Sequence, residues 1–328
     1  MKIGLEIHGY IQSKEKLFCN CKAEHGAKIT SPNTNICPIC TGNPGSKPML
    51  PNKEAIKKIL QIALILNCKI NPMFSFQRKH YDWPDLPKGF QNTISGTYAV
   101  HVGEKGRFLD INIREVHLEE DPAAWNPETG EIDYNRSGIP LVEIVTDPDF
   151  KSSEQVISWL KQLLITLDYI KAIDKNLGIK ADVNISLPEL KGERVEIKNV
   201  NSLENIKDAI EYEFKRQQKL GELAKEQETR RYDAKKKMTI RMRSKEQAQD
   251  YRFISEPDLP IVKIEKQRIE ILKKQLPETP QEKLKKLIKS YHIEKNSAEV
   301  LAKNIELVDF FEAVVSIGKI PIKLAVPW

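Results

Sequence analysis

Along residues 2–12 polar and apolar positions alternate: Leu5 and Ile7 fall on one side, Glu6 and His8 on the other. On a strand, that period of two sends the apolar pair into a core and the acid and imidazole to the opposite face. The same period returns in residues 95–121, read as β-hairpins. It places His117, Glu119 and Asp121 on one face there, and Val116, Leu118 and Glu120 on the other. Residues 179–186 align Asp182, Asn184 and Ser186, and 193–199 turn Val195 and Ile197 inward with Glu196 and Lys198 outward. Residues 131–148 read as a strand, a turn at Ser137-Gly138 and a buried strand; 230–233 and 239–245 read as further strands. A helical period marks 52–67, where Asn52 is the expected N-cap and Ile56, Ile59, Leu60, Ala63 and Leu64 form the apolar stripe. It returns in 152–172, 201–220, 281–289 and 297–316. A sheet assembled from these strands could gather acids and bases into one concave site.

The chain of 328 residues, 40% hydrophobic and 30% charged, has the balance of a folded protein rather than a disordered one. A net charge of +6 suits an anionic partner without requiring one. The N-terminus carries an acid and a histidine where an export signal needs an apolar run, and the longest apolar run, Ile62–Leu66, is too short to span a bilayer. The expectation is a cytoplasmic protein with no membrane contact. Four of the five cysteines form two tight pairs, Cys19-Asn-Cys21 and Cys37-Pro-Ile-Cys40. Two such turns aim thiolates at a single ion, so these four are expected to hold Zn²⁺ as a knuckle over 19–40. Four thiolates close the coordination sphere, which makes the site structural. Cys68, alone beside an apolar helix, is expected in the core rather than as a nucleophile.

The segment Arg78–Phe90 carries two prolines and a glycine, and reads as a rigid, non-helical loop. It concentrates Lys79, His80, Tyr81, Asp85 and Lys88, either as a binding surface or as a solvated connector. Glu119, Glu120 and Asp121 are costly to hold together unless solvent or a cation such as Mg²⁺ neutralises them. Walker A, GxGxxG and HExxH patterns are absent. Pro277 and Pro280 mark a break, after which the chain becomes lysine-rich and helical.

GLEIH, KLFCNC, NTNICPICTGNPG, PDLPKGF, HLEED, NRSGIPLVEIV, ADVNIS, VEIKNVNS, QETRRYD, MRSKEQAQDYRF and EPDLP follow one another in this order. In that, the chain resembles the B subunits of the aspartyl/glutamyl-tRNA amidotransferases over nearly its whole length. The related archaeal E subunits carry a further domain inserted after the catalytic cradle, whereas here EPDLP runs directly into helices.

The resemblance implies an α+β fold: a β-rich cradle of mixed or antiparallel sheet with flanking helices over 1–276, then the start of a helical domain over 277–328. It implies a ligase that uses ATP and Mg²⁺ to phosphorylate the side-chain carboxylate of mischarged Glu-tRNA(Gln) or Asp-tRNA(Asn). Ammonia from a partner amidase, the A subunit, would then displace phosphate, with a small C subunit completing a heterotrimer. Glu6, His8, Glu119 and Glu120 match family positions of the Mg²⁺ centre, and with Lys198 they are the expected catalytic set. Asp182, Glu196 and Asn199 would line the cradle, Arg243 would stand near phosphate, and Lys79, Tyr81 and Lys88 would contact substrate or ATP. Three departures stand out. HLEED continues as Pro122-Ala-Ala-Trp125 in place of Ala-Gly-Lys, Gly9-Tyr10-Ile11-Gln12 replaces the usual Val-Gln, and the chain ends inside the helical region. A catalytically silent zinc-containing scaffold that binds RNA or an amidase is the alternative. It is disfavoured because a scaffold has no need of Glu6, His8, Glu119, Asp182 and Glu196 on sheet faces.

Overall fold

A computed structural model describes residues 1–24, 31–96, 98–173, 178–190, 192–221, 227–244 and 251–318. Strand β1 (Lys2–Tyr10) leads through the cysteine region to helix α1 (Lys53–Ile65). Short strands β2 (Lys69–Ile70), β3 (Met73–Phe74), β4 (Gln77–His80) and β5 (Gln91–Thr93) precede a long hairpin, β6 (Gly103–Phe108) and β7 (Ile111–Glu120). After β8 (Ala124–Trp125), β9 (Ile132–Asp133) and β10 (Pro140–Thr146) comes α2 (Ser153–Tyr169). Then follow β11 (Lys180–Ser186), β12 (Val195–Asn201), α3 (Leu203–Leu220), β13 (Glu228–Asp233), β14 (Met238–Ser244), β15 (Arg252–Ser255) and β16 (Val262–Lys263). Helices α4 (Lys266–Gln275), α5 (Pro280–Lys289), α6 (Lys295–Leu301) and α7 (Ile305–Ser316) complete the described chain.

Twelve strands form one sheet in the order β14-β13-β12-β11-β1-β10-β7-β5-β4-β15, with β6 joining β7 to β2. Neighbours are antiparallel except β12 and β13, so the sheet is mixed and, with its flanking helices, the fold is α+β. Strand β1 lies between β10 and β11, which places residues from both halves of the sequence on either side of Glu6 and His8.

One face of this sheet is the core. Ile3, Leu5 and Ile7 of β1, Val116 and Leu118 of β7, Val142 and Ile144 of β10, and Val183 and Ile185 of β11 share a single apolar cluster. The stripes of α1 and α2 and residues Ile206, Ala209 and Ile210 of α3 close it. Burying each Leu or Ile of this layer contributes roughly 1.5–3 kcal/mol. Alternation then leaves Glu6, His8 and Glu143 nowhere to go but the opposite face. A bulge where β7 passes Val145 and Thr146 lets both Ile113 and Val116 point into the core despite their odd spacing.

Cys68 is buried in the core, as expected; a side chain at Gly106 would lie 2.4 Å from its sulfur, so glycine lets the hairpin close over it. Burial pushes the Cys68 thiol up to about 12, which suits packing rather than nucleophilic attack. Asn52 caps α1 by accepting from the backbone N–H groups of Glu54 and Ala55. The segment 297–316 differs from the single helix that its period suggests. It is divided between α6 and α7, because Asn304 accepts from the N–H groups of Glu306 and Leu307 and restarts the helix there. Residues 78–80 belong to strand β4 rather than to the loop that follows it.

Candidate active site

The polar face of the sheet brings its acids together as two groups. In the first, one carboxylate oxygen each from Glu6, Asp182 and Glu196 lie within 4.8 Å of one another. Asn184 Nδ2 donates to Glu6 Oε1 at 3.1 Å. Lys198 reaches Asp182 at 2.8 Å and Glu196 at 2.7 Å. The backbone N–H of Asn199 donates to Asp182 Oδ1 at 2.6 Å from a left-handed conformation (φ 55°), which asparagine tolerates better than most residues.

The second group is His8, Glu119 and Glu143, again with ligand atoms mutually within 4.8 Å. His8 Nε2 stands 3.7 Å from Glu119 Oε1 and 3.8 Å from Glu143 Oε2. Strand pairing explains the meeting: Glu143 is the register partner of His8 on one side and of His117 on the other.

Electrostatics divide these carboxylates: Glu6 and Glu119 are raised, whereas Asp182 and Glu143, despite their burial, are held below their ordinary values by neighbouring cations. Burial raises the Glu6 carboxyl above its ordinary value, and Glu143 and Asp182 push it further. Burial likewise raises Glu119, with Glu143 adding to the effect. For His8, burial opposes the charged ring, but Glu143 and Glu119 outweigh it and its pKa rises. Burial also opposes ionisation of Asp182, yet Lys198 and His8 bring it below its usual range. Buried acids that repel one another and converge on a point suit a hard divalent cation, and both oxygen-rich donor sets fit Mg²⁺.

Glu120 is elsewhere. Adjacent strand residues point to opposite faces, so Glu120 turns away from His8, pairs with Lys88 and accepts from the N–H of Asn92 at 2.9 Å. The expected quartet of Glu6, His8, Glu119 and Glu120 is therefore three separate environments. Asp121, expected on the face of Glu119, lies just beyond β7, where it accepts from the Tyr10 hydroxyl at 2.8 Å and pairs with Arg136 at 3.0 Å. Lys79 lies 4.7 Å from the ring centre of Tyr251, close to Tyr81, and its charge lowers both Glu119 and Glu143. Arg243 pairs with Thr229 in the β13–β14 register; its side chain lies outside the described residues, as does the stretch 245–250.

The sulfurs of Cys19, Cys21, Cys37 and Cys40 also lie within 4.8 Å of one another. Cys37 and Cys40 are 3.9 Å apart, against the edge of about 3.8 Å that a tetrahedral zinc–thiolate site requires. The N–H of Cys37 donates to Cys40 Sγ at 3.2 Å, and the buried Lys16 ammonium does so at 3.4 Å. The hydrogen bond from Cys19 pulls the Cys40 thiol down to about 4, and Lys16 assists. The donor set fits zinc. The cluster also braces the site. Gly42 (φ 67°) packs so closely on Pro87 that a Cβ would lie 2.4 Å from its carbonyl oxygen, and Lys88 follows directly.

Residues 1–270 match the family model described as the GatB/GatE catalytic domain. The chain belongs to this family. It is 45% identical over 339 aligned positions to the B subunit of the aspartyl/glutamyl-tRNA(Asn/Gln) amidotransferase of Methanococcus maripaludis, covering 100% of this chain and 70% of the relative. The proteins of the same name from Methanocaldococcus jannaschii (43%) and Methanothermobacter thermautotrophicus (44%) are similar over 100% of this chain and 70% and 71% of their own lengths.

Within this GatB/GatE domain, Glu143 was not singled out by sequence reasoning. Its signal was present: it is the single charged residue in the strand Pro140–Thr146. The departure at Pro122–Trp125 is accommodated locally. Arg136 donates to the carbonyls of Pro122 and Ala123 at 3.0 and 2.7 Å, and Trp125 meets Trp83 edge-on. Among the described residues, no helix is long and apolar enough to cross a membrane.

Proposed function

We propose that the polar face of this sheet activates the side-chain carboxylate of a tRNA-linked glutamate or aspartate with ATP, so that ammonia can convert it to an amide. The observation that carries this reading is the pair of three-ligand groups, each anchored by one of two residues, Glu6 and His8, on a single strand. A carboxylate is a poor acceptor for ammonia. Attack of its oxygen on the γ-phosphorus expels ADP and leaves an acyl phosphate. Ammonia then adds at the carbonyl carbon, a proton is lost, and phosphate departs. Such chemistry asks the protein for position and charge rather than covalent work.

Glu6, Asp182 and Glu196 would hold one Mg²⁺, and His8, Glu119 and Glu143 a second; when bound, the ions neutralise phosphate oxygens. Lys198 is fixed between Asp182 and Glu196 and offers its remaining N–H to phosphate. Lys79 faces the second group across the aromatic rings of Tyr81 and Tyr251. Lys88, oriented by Glu120, lines the approach rather than the metal site. Ammonia comes from a separate amidase, with a small third protein holding the two together. Residues 1–276 form the catalytic cradle, and the helices beyond begin a second domain. The four cysteines carry structural zinc.

Reconstitution tests this. The chain would be co-purified with the amidase and the small third protein and supplied with glutamine, ATP and either Glu-tRNA(Gln) or Asp-tRNA(Asn). Conversion of at least one, with ADP and phosphate formed in step, is the expected result. An assembled complex that converts neither would leave a zinc-containing scaffold as the better reading.

A further inference from the structure

A third group of metal-type donors lies one register step along the sheet, and neither metal group of the proposed reaction uses it. Glu115 of β7 stands between two imidazoles: its Oε2 is 2.7 Å from His101 Nε2 and its Oε1 is 3.3 Å from His117 Nε2. The three donors lie mutually within 4.8 Å. We propose that His101, Glu115 and His117 form a binding site for a transition-type divalent cation of the zinc class, distinct from the Mg²⁺ groups.

The tautomer of His117 carries the point. Its Nδ1 is 3.1 Å from the carbonyl oxygen of Ile94, which can only accept, and 3.1 Å from His101 Nδ1, so His117 Nδ1 bears the hydrogen and His101 Nδ1 accepts beside the carbonyl. The Nε2 lone pair of the neutral ring then faces the Glu115 carboxylate, acceptor against acceptor, on a side chain that is 2% exposed. Either a proton or a metal cation fills that contact. Protons on His117 Nε2 and His101 Nε2 satisfy the two contacts with Glu115, and a metal ion in their place would take all three donors as ligands at once. A backbone carbonyl on the second ring nitrogen is the usual way a metal-bound histidine is oriented.

The supporting backbone is fixed as well. Asn71 Nδ2 donates to the carbonyl of His101 at 2.8 Å, and the N–H of Asn71 donates to that of Val102 at 3.1 Å. Ile94 is held by its N–H to Leu118 at 3.0 Å. Two imidazoles and one carboxylate favour zinc-class ions over Mg²⁺, which prefers oxygen. His101 and Glu115 are 22% and 23% exposed, which leaves an open side for access and for a water ligand. The ion would tie the segment before β6 to β7 next to Glu143, the register partner of His117.

Titration of the metal-free full chain with Co²⁺ separates this site from the others. The thiolate cluster should give sulfur-to-cobalt charge-transfer absorption, whereas an equivalent at His101–Glu115–His117 gives only ligand-field bands. Wild type and His8→Ala should both show those ligand-field bands. His101→Ala and Glu115→Gln should lose them while keeping the charge-transfer band, which reports that each variant is folded. Cys21→Ser should do the opposite. The proposal is overturned if wild type shows cobalt only at the thiolates, as a purely protonic triad would. It is equally overturned if the ligand-field equivalent survives in both His101→Ala and Glu115→Gln.

Discussion

Glu6 and His8 stand two residues apart on one face of β1, yet they join different partners: Asp182 and Glu196 gather with Glu6, Glu119 and Glu143 with His8. The cause is the position of β1 between β11 and β10, so that its outward side chains reach to opposite neighbours. A single strand thus carries one residue of each proposed cation site.

Replacing Glu143 with Gln should reduce ATP-dependent amidation by about 10²-fold or more, because one charge is removed from a buried, preorganised group. The repulsion that raises Glu119 and Glu6 is relieved, but despite its burial Glu143 is held below its ordinary value by His117, His8 and Lys79, so losing its charge should lower the melting temperature at neutral pH. Glu120→Gln should cost less in turnover, since Glu120 pairs with Lys88 and the N–H of Asn92 and is not among the donors gathered with His8. Steady-state conversion by the assembled complex measures both. Equal losses at the two positions would contradict the assignment of Glu119 and Glu143, rather than Glu120, to the metal group.

Local signals made much of this legible. The alternation in β1 and β11 placed Glu6, His8, Asp182 and Asn184 correctly, and the cysteine spacing located a thiolate cluster. What short-range pattern could not supply was the strand order. Glu143 sits in an apolar run whose partners, His8 and His117, are 135 and 26 residues away in sequence, and only non-local register brings them together. Alternation places Asp121 beside Glu119 only if β7 continues past Glu120; the strand ends there, and Tyr10 and Arg136 take Asp121. Helices α6 and α7 read as one from pattern alone, because the apolar period continues across the break that the side chain of Asn304 creates.

Lys198→Met should leave Asp182 buried with the N–H of Asn199 but without its ammonium partner. Stability should fall by about 1–3 kcal/mol, the usual cost of stranding a buried charge-bonded group. Burial opposes charge on Lys198, but Asp182 and Glu196 outweigh it and keep the group protonated across the working range. The activity loss should appear in the KM for ATP as well as in kcat, and should deepen toward acid pH, because Asp182 loses the cation that lowers it most. A KM for ATP unchanged alongside lower stability would give Lys198 a structural role only.

Removing zinc should be felt at Lys88. The cysteine cluster touches the Pro87–Lys88 turn through Gly42, and Ser137 Oγ donates to the carbonyl of Cys40 at 2.7 Å. Chelation, or Cys21→Ser, should lower the melting temperature and increase amide exchange at Lys88 and Asn92 before β1 is affected. Metal analysis of the purified chain should find zinc that Cys21→Ser abolishes. Unchanged exchange around Lys88 in the metal-free protein would separate the knuckle from the site.

The C-terminal helices offer a test of pH dependence away from the active face. Lys283, buried on α5, reaches Glu312 of α7 at 2.6 Å and Glu278 at 3.3 Å, while Lys286 reaches Glu312 at 2.8 Å. Burial would raise the Glu312 carboxyl, but Lys283 and Lys286 outweigh it and hold it below its ordinary value. A depressed carboxyl stabilises the fold at pH above the unfolded-state value and loses that contribution as pH falls through the folded-state value. Glu312→Gln should thus be less stable than wild type by about 1 kcal/mol at neutral pH, with the gap closing under acid. Paired thermal melts from neutral pH down through the carboxylate range read this cluster, in which Glu278 and Asp309 share Lys283 with Glu312. A gap that stays constant across the range would mean that α5 and α7 are held by the Leu287–Val308–Phe311 cluster alone.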